Sequence, residues 1–250
     1  MKDKEDIFSK FRDSFSKIDG RFHILEQRVP VELQMEYFKY SERIRKERGE
    51  LTDIEYDTFV ETLNDEETST EYKRYVLSSL AASHQVRAYR ALEKYVNHSS
   101  EDVTDWAYMA LMESRISLES ELSEEKQVYI STGLGGRGEK LRFYMMFPAR
   151  KNVPFEAYQR QIIEREFPYN FEHEECEMER LTVHDIFVEI VVLVPVRLNI
   201  KNLLDKIINE CNLYGNFLYD SYTITNVKEL TEEEVRELLK KKNGDNQTSD

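Results

Sequence analysis

The residues of this chain that come closest to a chemical motif are GLGGRGEK at 133–140, followed by Arg142. The run holds four of the eight glycines in the chain, and Gly133, Gly135 and Gly138 match the pattern G-x-G-x-x-G. Turns of this kind can aim backbone N–H groups at an anion, and Arg137, Lys140 and Arg142 would add positive charge. Gly133, Gly135, Gly136, Arg137, Gly138, Lys140 and Arg142 are therefore the candidate ligand-binding residues, and a small anion is the candidate ligand. The context narrows the chemistry. A dinucleotide site needs a helix N-terminus after the glycines, and here the pattern predicts a strand. Glu139 follows Gly138 where a Walker loop has lysine and then serine or threonine. Strand, loop, strand is the setting of a kinase glycine loop, but no HRD or DFG accompanies it. The other reading is a hairpin connection that uses glycine only for positive φ.

Two further sets of residues have types that could do chemistry. His173, Cys176 and His184 are potential zinc ligands, but spacing on an expected strand points His173 and Cys176 to opposite faces, and no fourth ligand presents itself. The acidic run 172–179 could supply acid–base pairs, yet no nucleophile or histidine stands at a telling distance from it. The sequence thus assigns no catalytic residue, no metal and no cofactor. Trp106 and Tyr108, near small residues, read as packing groups.

Composition bounds the function classes. The chain has 250 residues, with 49 acidic against 35 basic side chains and a formal net charge of -14. Such a surface repels phosphate backbones and anionic membranes, so neither nucleic acid nor membrane is an expected partner. No apolar run is long enough to span a bilayer, and the N-terminus, MKDKEDIFSKF, lacks the apolar core of a signal peptide. Two cysteines, Cys176 and Cys211, make no disulfide framework and suit a reducing compartment. These features together predict a cytoplasmic protein.

The elements that must position these residues fall into two kinds. Up to about residue 125 the apolar period is helical. Ile7, Phe8, Phe11, Phe15 and Ile18 form one stripe, and the segment 21–29 reads as a short strand or a link. Pro30 opens a helix carrying Leu33, Tyr37, Tyr40 and Ile44, whose end gathers Arg43, Arg45, Lys46 and Arg48 before Gly49. Thr52 and Glu55 form a capping box for the next helix. Helices follow over 70–83, 84–97 and 101–122, the last capped by Ser100.

From Gln127 the period changes to two. VYIST and LRFYMMF (141–147) read as strands flanking the glycine loop. Pro154 opens a helix that Pro168 is expected to end. An acid-rich extended stretch, 171–183, leads to IFVEIVVLVPV (186–196), then a helix from Asn199 to about 212 and a last strand over 217–227. Thr231 and Glu234 cap a terminal helix, and 243–250 reads as a disordered tail. The order β-α-β-β-α-β is the ferredoxin-like split pattern, with the apolar strands central and the Glu-rich one on an edge. The strand 186–194 is apolar on both faces, so its second face needs a cover: the helical half, another copy, or a ligand.

Within the helical part, RYVLSSLAAS (74–83) aligns with DWAYMALMES (105–114) at an offset of 31 residues. The segment 72–118 resembles a HEAT or armadillo repeat unit, and that resemblance implies stacked helices with a protein-binding surface. An ordinary bundle is the alternative. The fold class expected is therefore α+β: an all-α, HEAT-like or bundled region over 1–125, a ferredoxin-like domain over 126–228, a terminal helix over 229–242 and a tail over 243–250. The function expected is a non-catalytic interaction or regulatory module with a protein partner or self-association. The alternatives are an anion sensor using the 133–142 loop, and an enzyme acting on an anionic substrate.

Overall fold

A computed structural model of the chain describes residues 21–99, 101–123 and 127–244. The predicted helix over 3–18, the Ser100 cap and the tail beyond 244 lie outside the described residues. The chain divides into two compact units, Asp19–Ile130 and, among the described residues, Ser131 onward.

The first unit contains β1 (Arg21–Ile24), α1 (Val31–Glu47), α2 (Asp53–Asn64), α3 (Thr70–Ala81), α4 (Val86–Val96), α5 (Glu101–Leu122) and β2 (Gln127–Ile130). Local chemistry starts the helices. Thr52 and Glu55 exchange side-chain and backbone bonds in a complete capping box, and Ser69 Oγ accepts from the Tyr72 N–H. Apolar faces then drive packing. Leu77, Leu80, Leu92, Met109 and Ala110 are all buried in one core. Trp106 is 1% exposed. Its Nε1 donates to Ser78 Oγ at 3.0 Å, and its ring meets Tyr37 and Tyr40 edge-on at 5.2 and 5.4 Å. It is a packing residue of the helical core.

One expectation about strands is corrected. Gln127–Ile130 does not form a hairpin with 141–147 but pairs in parallel with Arg21–Ile24. The segment 21–29 supplies the partner, and His23 and Tyr129 stack at 4.8 Å across the pair. Tyr129 also donates to Glu119 on α5, which ties the ribbon to the helices.

The second unit contains β3 (Gly136–Arg137), β4 (Lys140–Pro148), a 3-10 turn (Arg150–Asn152), α6 (Ala157–His173), β5 (Glu177–Val183), β6 (Phe187–Pro195), α7 (Ile200–Asn212), β7 (Thr223–Thr225) and α8 (Glu232–Gly244). Its sheet runs β7-β4-β6-β5 with every neighbour antiparallel, and β3 pairs the first residues of β4. The last strand is shorter than predicted. Within 217–227 only Thr223–Thr225 joins the sheet, plus a lone bridge from Leu218 to Ala149.

Helix α6 overrides its proline. Pro168 removes a helical N–H, yet the helix continues to His173, with Pro168 inside it. Phe167 and Phe171 are fully buried on either side of it, and Phe167 packs edge-on against Phe147 of β4 at 5.0 Å. The burial of two phenylalanines exceeds the cost of one lost bond. The acidic stretch is therefore helix, a turn through Glu175 at φ +57°, then strand from Glu177, rather than extended throughout.

The strand β6 is apolar on both faces, as its sequence requires, and each face has its cover. On one side Phe167 of α6 packs on Phe147 of β4, and Ile163 of α6 and Leu204 and Ile207 of α7 are buried. On the other, Val235 and Leu239 of α8 join Tyr144, Met146 and Val191 in a separate cluster. The rest of that face is roofed by ion pairs: Arg180 reaches Glu189 at 2.6 Å and Glu229 at 2.5 Å. The chain's own C-terminal helix thus does what was expected of the helical half. Leu239→Ala is expected to lower the unfolding free energy by about 2 kcal/mol in urea titration. A loss below about 0.5 kcal/mol, the size of a surface substitution, would show that α8 does not cover the face.

Candidate functional site

The glycine segment is built into the sheet. Gly133 approaches the chain so closely that a Cβ there would lie 1.8 Å from the Val227 carbonyl oxygen, and the next residue, Leu134, donates its N–H to Asn226 at 3.0 Å. Gly136 pairs with Leu141 and Arg137 with Lys140. Gly138, at φ +57°, makes the tight turn between them. The structure thus brings Gly135, Gly136, Arg137, Gly138, Lys140 and Arg142 together in one hairpin, with Gly133 at its base.

The charges of this hairpin face Glu177 and Glu179 of β5. Arg137 pairs with Glu177, Lys140 reaches Glu177 at 2.7 Å, and Arg142 forks onto Glu179 at 2.5 and 2.8 Å. Arg142 also donates to the Leu134 carbonyl at 2.7 Å. Glu177 titrates low because the Lys140 ammonium and then the Arg137 guanidinium hydrogen-bond to it. The hairpin cations already serve as the clamp between β4 and the edge strand β5, across β6. Arg142→Ala is expected to cost about 1–2 kcal/mol and to leave any thermal shift with phosphate unchanged. A phosphate-dependent stabilisation that disappears in the variant would mean that the hairpin binds anions.

The potential metal ligands do not form a set. His173 ends α6, Cys176 precedes β5 and His184 stacks on Phe187 at 4.1 Å. Among the described residues no three His, Cys, Asp or Glu side chains are placed to hold a metal. Burial pushes the thiols of Cys176 and Cys211 up to about 12, so both are protonated at neutral pH.

The basic end of α1 is also engaged. Lys46 pairs with Glu42 at 2.7 Å and Arg48 with Glu55 at 2.9 Å, and Arg43 lies 4.7 Å over the Tyr40 ring. Arg45 reaches inward to Glu113 of α5, at 3.6 Å. Glu113 is 8% exposed. Tyr37 donates to it at 2.5 Å, and Ser41 Oγ lies 2.6 Å from both carboxylate oxygens. Tyr37, Ser41 and Arg45 are four residues apart, hence on one face of α1. Sequence reasoning missed this knot. Its signal was the Tyr-Ser-Arg spacing opposite a lone glutamate in the apolar run 109–113.

Burial and then the Glu113 charge raise the Tyr37 pKa well above its ordinary value. A phenol whose folded pKa is raised stabilises the fold fully below the unfolded pKa of about 10, and that stability is lost as pH rises beyond it. Tyr37→Phe is expected to cost about 1–3 kcal/mol at neutral pH and to flatten the decline of stability above about pH 10. Urea titrations at a series of alkaline pH values check both.

The helical unit carries a cleft of about 730 Å³ between α2, α3, α4 and the start of α5. Val60, Leu63, Ala91 and Tyr95 supply apolar lining, and Asp65, Glu66 and Asp102, with Lys94 and His98, supply charged and titratable lining. Lys73 of α3 lines it as well. Lys73 is 9% exposed, and its ammonium has no hydrogen bond or ion pair among the described residues. That atom is not sealed from solvent either, so the cleft is its outlet. The sequence offered no signal for this site, since Lys73 sits in a polar stretch, TEYKR, that reads as a solvated helix face.

No family model and no curated protein matches this chain. Among solved structures, the crystal structure of a "putative transposase" from Deinococcus radiodurans aligns at 12% identity and a TM-score of 0.37, over 42% of this chain and 93% of that one. A likeness at this level carries no argument about function. Among the described residues no helix is long and apolar enough to cross a membrane.

Proposed function

We propose that this protein is a non-catalytic regulatory or interaction module that binds its ligand in the cleft of the helical unit. The observation that carries the reading is Lys73, a lysine 9% exposed whose ammonium has no hydrogen bond or ion pair among the described residues. Its ammonium is not sealed from solvent and opens onto the cleft, and a charge held at a partly desolvated position gains from a partner that pairs with it. The polar groups elsewhere that might do chemistry, Glu113 and the hairpin cations, are committed to the protein's own partners.

We infer further that the second unit is ferredoxin-like. The strand order β7-β4-β6-β5, with α6 and α7 as crossovers, supports this reading. The helical character of 72–118 supports a HEAT-like surface for a protein partner or for self-association, beside the cleft itself. The net charge of -14 supports a cytoplasmic protein that does not bind nucleic acid or membranes.

The test is a ligand-observed NMR screen of a mixed fragment set against the full chain and against Ala91→Trp, which fills the cleft. Fragments that bind the natural chain and lose their signal in the variant support the reading. A screen without cleft-dependent hits overturns it.

A further inference from the structure

We infer that the Lys73 cleft selects a small monocarboxylate carried on an apolar, aryl-sized body, which deepens the binding-module reading and rests on it. The argument begins with where Lys73 sits. It lies on α3 one turn before Val76 and Leu77, both fully buried, so most of its stem is covered while its ammonium opens onto the cleft. Such a head is preorganised: a ligand need not immobilise a long, mobile side chain to use it.

Two other charges in this unit have protein partners: Glu113 has Tyr37, Ser41 and Arg45, and Arg74 has Glu36 at 3.3 Å. Lys73 depends on whatever fills the cleft. The Lys73 ammonium is a compact point charge that can meet one singly charged group such as a carboxylate, without the bidentate geometry an arginine would impose.

The lining restricts the rest of the ligand. Asp65, Glu66 and Asp102 outnumber Lys73 and Lys94 along the lining, where His98 also stands, which disfavours a second negative charge, and the net charge of -14 opposes polyanions over a longer range. Both features disfavour nucleoside triphosphates and other polyphosphates. Leu63, Val60 and Ala91 with the Tyr95 ring offer apolar contact, and a cleft of about 730 Å³ is far larger than a bare carboxylate fills. A carboxylate seated on Lys73 with an aromatic or branched apolar body against Tyr95 satisfies both parts.

The experiment compares matched probes on the full chain by two-dimensional amide NMR: 3-phenylpropanoate, its neutral amide 3-phenylpropanamide, and ATP. Binding of the carboxylate at least about tenfold tighter than the amide is expected, with shifts centred on Leu63 and Tyr95. Lys73→Met should abolish that preference while leaving the amide's weak binding in place. Equal binding of acid and amide, or tighter binding of ATP, overturns the ligand class and leaves the cleft as a binding site. No cleft shift with any probe at millimolar concentration overturns the ligand class, while the fragment screen with Ala91→Trp decides separately whether the cleft binds anything. The acid–amide comparison uses only the natural chain, so it stands even if Lys73→Met does not fold.

Discussion

A carboxylate can sit among apolar side chains only if donors surround it, and Glu113 is where that constraint shapes the helical unit. Its position on α5 forces α1 to present Tyr37, Ser41 and Arg45 along one edge. That fixes the rotation of α1 about its axis, which in turn places Tyr37 and Tyr40 against the Trp106 ring. A buried ionic knot of this kind adds little to net stability compared with an apolar replacement, because desolvation offsets the attraction. Its effect is on register: sliding α1 by one residue would leave Glu113 facing the wrong side chains.

The same rule explains the sheet unit. The face of the sheet that carries Tyr144 and Val191 is only partly roofed by α8, and the remainder is charged. Arg142 with Glu179, the Arg137 and Lys140 pairs with Glu177, and Arg180 with Glu189 and Glu229 form a lattice over that face. The lattice holds the edge strand β5 from above while β6 holds it by backbone bonds. The glutamates that defend this edge against foreign strands are thus also internal counter-ions. A glycine-rich loop with three cations resembles an anion site until those counter-ions are placed beside it.

Lys73 breaks the rule, and the break is what gives the helical unit a functional reading. Where the protein meets its buried charges with its own groups, the result is structure. Where it leaves one facing a cleft, the proposed partner comes from outside. Along the cleft Asp65, Glu66 and Asp102 outnumber Lys73 and Lys94, on a chain that is acidic overall.

Local signals determined much of this protein from the sequence alone. Two capping boxes, at Thr52 and Thr231, form as their spacing requires, because such caps involve residues only three apart. The helices of the first unit and the apolar strands 140–148 and 187–195 were legible, since burial of one face imposes a period on the residues that carry it. Tertiary structure alone decided the rest, where the deciding partner is distant in the chain. Residues 127–130 pair with 21–24 instead of with 141–147. Pro168 stays inside a helix because Phe167 and Phe171 are buried around it. Glu177 and Glu179 neutralise cations some forty residues earlier. Lys73 becomes a candidate site only when α2, α4 and α5 close around it, because a one-dimensional pattern records which residues are charged but not which charges lack a partner.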